Sequence, residues 1–175
     1  MTAPRYDRPD PAEFAPNYAG YISKVPDGDL VRGLEEQHEQ TMALLSGVPE
    51  AKGSFAYAPG KWTLKEVIGH LTDAERVFSY RALRIARGDT MPLPGFDEKA
   101  WVPNAGSNAR TLADLLGELR VVRASTLALL RHLPPESVTR VGTASDRPVS
   151  VRALAWIIAG HERHTLGIIR ERYLS

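Results

Sequence analysis

The chain has 175 residues, Lys+Arg 22 against Asp+Glu 21 for a formal net charge of +1, 43% apolar residues and no cysteine. That length suits one ordinary domain whose core needs no covalent staple. The missing cysteines exclude disulfides, thiolate ligands and a cysteine nucleophile, and the even charge balance gives no basis for nucleic acid or an anionic membrane surface as the main partner. No apolar run approaches 18 residues, so no membrane span is expected. Pro4, Pro9, Pro11 and Pro16 stand among charges in the first 20 residues. That is unlike a secretory signal, and a cytoplasmic protein is the expectation.

Residues 1–27 are rich in proline and polar groups and read as an extended arm lying over the surface or partly disordered. Residues 28–175 read as four helices. The first runs from about Asp29 to Ser46 on Leu30, Leu34, Met42 and Leu45, with Gly47 as its stop. The second opens on Thr63-Leu-Lys-Glu66, the form of a capping box, and carries Val67, His70, Leu71, Ala74, Val77, Phe78 and Ile85 up to Gly88. The third starts at Thr111 and follows Leu112, Leu115, Leu119, Val122, Leu127 and Leu130 to Pro134-Pro135. The fourth runs from Ser150 to about Tyr173 on Leu154, Ile157, Ile158, His161, Ile168 and Ile169. No strand pattern competes, so the expected fold is an all-α four-helix bundle. The connector from Gly88 to Arg110 is far longer than an antiparallel hairpin needs, and it could cross the bundle and leave helices two and three parallel.

Histidines carry the functional signal. On a helical wheel His161 sits at the centre of the apolar face of helix four, His164 at its edge about 60° away, and Thr165 well inside it. His70 is likewise central on helix two, flanked by Glu66 and Asp73. A buried imidazole needs a partner for each ring nitrogen. Shared ligation of a cation by His70, His161 and His164 is one solution, with Glu66 and Asp73 as general base or as carboxylates holding the rings. A simple hydrogen-bonded core histidine is the other. His38 and His132 fit the site less well and read as structural. Arg76, Arg81, Arg84 and Arg87 read as a solvated helix face. No phosphate loop, dinucleotide fingerprint or serine elbow is present.

Several segments together resemble the DinB superfamily, in the four-helix-bundle branch of YfiT-type metal-dependent hydrolases. They are Tyr57-Ala-Pro-Gly-Lys-Trp-Thr-Leu-Lys-Glu-Val-Ile-Gly-His70, Asp73-Ala-Glu-Arg76, Arg81-Ala-Leu-Arg-Ile-Ala-Arg-Gly88, Pro94-Gly-Phe-Asp97 and Ala159-Gly-His-Glu-Arg-His164. The resemblance spans roughly Asp29 to Tyr173. It implies an up-down-down-up bundle and a divalent transition metal (Zn, Ni, Fe or Mn) held by one histidine of helix two and two of helix four. His70 and His161 match two of those ligands. The usual position of the third is Thr165 here, a poor ligand for such a metal, so either His164 supplies the third nitrogen or the site is weak or empty.

Two chemistries follow from the resemblance: hydrolysis of a small molecule by metal-activated water, or transfer of a low-molecular-weight thiol bound as thiolate. It also makes a homodimer the expected assembly. The competing reading is a non-catalytic bundle with a degenerate metal site, binding a metal or ligand or serving a stress response.

Overall fold

Each long helix begins where a side chain can accept the free N–H groups of a first turn. The computed structural model describes residues 4–175, so the first three residues of the expected arm lie outside the described residues. Helix α1 (Leu30–Ser46) starts at Asp29, which accepts from the Arg32 N–H at 3.1 Å. Helix α2 (Leu64–Ala86) starts on the capping box: Thr63 Oγ1 accepts from the Glu66 N–H at 3.2 Å, and the Glu66 carboxylate accepts from the Thr63 N–H at 2.8 Å. Gly88, at φ +82°, takes the left-handed turn just past its end. Helix α3 (Leu112–Arg131) is capped by Thr111 and helix α4 (Val151–Ile168) by Ser150. The last turn of α4 widens into a π-turn, Ile169–Tyr173.

The end of α1 and the starts of α2 and α3 meet at one end of the bundle. There Glu50 pairs with Lys65 at 2.6 Å and accepts from the Leu112 N–H at 2.8 Å. The end of α4 arrives at the same place, where the Tyr173 hydroxyl donates to the Trp62 carbonyl at 2.6 Å. Helices α1 and α4 therefore run one way and α2 and α3 the other, the up-down-down-up arrangement. Helix α2 packs on α3 and α4, and α1 packs on the same two helices.

With α2 and α3 parallel, the connector 87–111 must travel the length of the bundle. Arg81 pins it by donating to the Pro94 carbonyl at 2.7 Å. Of the four arginines expected on a solvated face, Arg81 is buried, because its guanidinium packs between Phe78, Phe96 and the connector backbone. Arg76 and Arg84 pair with Glu118 and Asp89. A second tie is a feature the sequence pattern did not suggest. Strands β1 (Val141–Ala144) and β2 (Arg147–Ser150) form an antiparallel hairpin in the register Val141↔Ser150 to Ala144↔Arg147. Leu93 of the connector bonds to its edge, donating to the Thr143 carbonyl at 2.9 Å.

The N-terminal segment lies on the bundle. Tyr6, Phe14, Ile22 and Val25 are buried in the larger apolar cluster, and the Trp156 indole donates to the Tyr6 carbonyl at 3.0 Å. A short helix, Ala19–Ile22, crosses α4 at Gly160. A Cβ on Gly160 would collide with the Tyr21 backbone carbonyl, and with the Tyr21 Cβ at 2.9 Å. Gly160→Ala is therefore expected to destabilise by about 1–3 kcal/mol, as overpacking against a backbone does. Urea unfolding measures it, and unchanged stability would mean that the segment is free to move off the helix.

Between the two apolar clusters lies a charged layer. Arg123 of α3 is 1% exposed, Glu75 of α2 2% and Glu162 of α4 0%. The guanidinium binds both oxygens of Glu75 at 2.9 Å, one oxygen of Glu162 at 2.9 Å and the Leu34 carbonyl at 3.1 Å. Glu162 also accepts from Thr41 at 2.7 Å and from the Gln37 amide of α1. All four helices thus close on one buried cation.

Candidate functional site

His70 and His161 meet in the seam between α2 and α4, their Nε2 atoms 3.2 Å apart and their rings nearly perpendicular at 84°. Each is preceded by a glycine that makes room for a segment beside the seam. Ser107 of the connector packs where a Gly69 Cβ would be, and Tyr21 where a Gly160 Cβ would be. Tyr21 then forms one wall, its ring 5.4 Å from that of His161 and 5.1 Å from that of His164. Trp62 lies 5.0 Å from the His70 ring on the other side.

The pair sits in a cleft of about 560 Å³ lined also by Tyr57, Lys61, Glu98, Lys99, Thr165 and Tyr173. Burial pushes the His161 imidazole down to about 3, with His70 and His164 adding to the effect. Burial also lowers His70, against the opposing pull of Glu98 and, less, of Asp73. Both rings are therefore neutral at pH 7, each with one nitrogen free to accept. Burial pushes the Tyr173 phenol up to about 12, so it stays a hydrogen donor.

The expected site residues are placed unevenly. His70 and His161 converge, and His164 lines the same cleft with its ring on Tyr21. Thr165 is buried in the wall between them and the π-turn. Glu66 is occupied at the cap of α2, where the Thr63 N–H and the Asn108 amide take its two oxygens. Asp73 stands 3.5 Å from Arg76. Neither acid lines the cleft. The acid that does is Glu98, in the first turn of the short helix Glu98–Trp101 that Asp97 caps. The segment Pro94-Gly-Phe-Asp97 stands out in the sequence, but nothing periodic in the connector marks the next residue as inward-facing.

Two nitrogens held about 2.0–2.1 Å from a tetrahedral ion stand roughly 3.3 Å apart. The 3.2 Å between His70 and His161 fits that spacing, and neutral imidazole suits a borderline transition metal. The same separation closes an N–H···N hydrogen bond when no ion is held. Among the described residues no three His, Asp or Glu side chains stand close enough together to hold one ion. Two nitrogens thus stand within reach of one point, with no third such side chain beside them among the described residues.

Residues 33–169 match the DinB superfamily. The chain belongs to that superfamily. A DinB relative from Bacillus subtilis (strain 168), named "Putative metal-dependent hydrolase YfiT", is 26% identical over 120 residues, 68% of this chain and 67% of its own. The solved structure of YfiT from Bacillus subtilis superposes with a TM-score of 0.72 at 20% identity, covering 91% of each chain. It is described as a probable metal-dependent hydrolase with an unusual four-helix bundle topology. A second DinB-like structure, YjoA of Bacillus subtilis, gives a TM-score of 0.59 at 22% identity over 82% of this chain and 88% of that one. At these identities the structural likenesses establish the fold alone. No helix among the described residues is long and apolar enough to cross a membrane.

Proposed function

We propose that this DinB protein is a metal-dependent hydrolase of a small molecule, with His70 and His161 as two nitrogen ligands of a divalent transition metal. The observation that carries the reading is the 3.2 Å approach of two neutral imidazoles at the floor of an open cleft. One relative, YfiT of Bacillus subtilis, is named a metal-dependent hydrolase and supports it. His164, on the same helix face, is the third imidazole available from the wall. A bound metal of this kind supplies an acidified water as nucleophile near neutral pH.

The chain's own residues do the rest. Tyr21 packs edge-on against the His161 ring and Trp62 packs tilted against the His70 ring, and the two shield the seam from bulk water. Glu98 lines the cleft as the carboxylate available to take a proton from water, whereas Glu66 is bonded at the helix cap and Asp73 stands beside Arg76 off the cleft lining. Thiol transfer, homodimer formation and a stress-response role have no separate observation in the fold, so hydrolysis is the reading preferred.

Metal analysis after zinc or nickel loading tests this. The wild type is expected to retain about one ion per chain. His70→Ala and His161→Ala each lose it, with affinity down by at least about 100-fold, beyond what losing an indirect support costs. His164→Ala lowers affinity less. A wild type that retains no ion, or an ion indifferent to His161→Ala, would overturn the proposal and favour a bundle with a degenerate site.

A further inference from the structure

Among the described residues four aromatic side chains are exposed, Phe55, Tyr57, Tyr80 and Trp101; of these Tyr57 lines the cleft, and Phe55 and Trp101 stand beside residues that do. Phe55 is 39% exposed and Tyr57 37% exposed, and both rings stand edge-on to Tyr173, at 6.1 and 5.3 Å. Trp101, 45% exposed, stands on the short helix that carries Glu98 and Lys99. Large apolar rings left in water around a concave site mark a surface built to be covered. The volume, about 560 Å³, suits a small molecule and is too little for a protein element.

The charges point to the sign of the ligand. Lys61 and Lys99 line the cleft, and neither makes an ion pair among the described residues. Lys61 Nζ lies 6.0 Å from the centre of the Tyr57 ring, so a cation and an aromatic face are presented side by side. Against them the cleft sets one acid, Glu98, leaving its lining net positive. A positive, low-dielectric mouth concentrates anions.

We infer that the cleft takes a small planar anion, an aromatic or heteroaromatic carboxylate, with its ring against Tyr57 and Trp62 and its carboxylate toward Lys61 and Lys99. The inference rests on this cleft being the active site, as proposed above, but not on the metal being bound. In a hydrolase it makes the substrate an ester or amide whose aryl part carries a separate carboxylate.

Binding of benzoate, 4-nitrobenzoate, benzamide and acetate to the full chain, measured calorimetrically with chelator present, tests it. Benzoate and 4-nitrobenzoate are expected to bind at least about 10-fold more tightly than benzamide, which has the ring without the charge, and than acetate, which has the charge without the ring. Lys61→Gln with Lys99→Gln should abolish the preference over benzamide while the circular dichroism spectrum is unchanged. Equal binding of benzamide, or a preference that survives the double substitution, would overturn the inference. Because the protein is metal-free in this assay, such a failure leaves the metal analysis standing. Loss of metal binding alone leaves the anion preference intact.

Discussion

Arg123→Met is expected to destabilise the protein by about 3–5 kcal/mol, because it strips the cation from two carboxylates buried away from the surface. For a chain of this size each kcal/mol lowers Tm by roughly 2–4 °C, so the fall is on the order of 10 °C. The reason lies in the geometry: Glu75 and Glu162 are 2% and 0% exposed, and Arg123 is the cation that bonds to both. The layer already carries two negative charges against one positive. Adding Glu75→Gln and Glu162→Gln to Arg123→Met should recover much of the loss, since uncompensated charge and not shape is then the main defect. Thermal unfolding of the single and triple variants decides the point. A single variant within about 1 kcal/mol of wild type would mean that water or a counterion reaches the layer.

Acid is the second lever. In the absence of metal, stability is expected to fall by at least about 4 kcal/mol between pH 7 and pH 3.5, with His161 the largest single contributor. Its imidazole is pushed by burial from an ordinary 6.5 to about 3 in the folded chain. Between those two values the unfolded chain binds a proton that the folded chain does not, so unfolding takes up protons and stability rises with pH. The loss therefore begins as pH drops below about 6.5 and levels off near 3. Each unit of separation is worth about 1.4 kcal/mol. His70, His38 and His164 are all lowered too, each first by burial, and add in the same direction. Glu13 adds a later loss: its hydrogen bond from Arg152 holds it down to about 2, below its usual 4.5, so its contribution is present above pH 4.5 and disappears as pH falls toward 2. Urea unfolding at pH 7.5, 5.5 and 4.5 with chelator present measures the slope, and His161→Gln should flatten it. A stability independent of pH over that range would contradict a dry, neutral histidine pair.

The helices were legible because two independent signals agreed at each end. Thr63 with Glu66, Thr111 and Ser150 cap where the apolar periodicity begins, and Gly47 and Gly88 stand where it stops. His70 and His161 were legible for the same reason, since an imidazole centred on an apolar stripe must face the neighbouring helix. The hairpin was not legible. Its strands are four residues long, and its turn uses Ser145 and Asp146 at φ +51° and +60° in place of the Asn-Gly that usually marks such a reversal.

The charged layer leaves a trace in the sequence pattern. Arg123 falls four residues from both Leu119 and Leu127, Glu75 four from Leu71, and Glu162 four from both Ile158 and Leu166. A charge on the apolar stripe of three helices at one level is a buried network in waiting. Glu98 had no such signal. It belongs to a connector whose path is set by ties to Arg81 and the hairpin, which no local period records.

X-ray absorption at the metal edge of the zinc- or nickel-loaded protein tests the central claim most directly. The account predicts at least two imidazole nitrogens at about 2.0–2.1 Å, one of them lost in His70→Ala and one in His161→Ala. A first shell of oxygen alone, or one that keeps all its imidazoles in both variants, would contradict it.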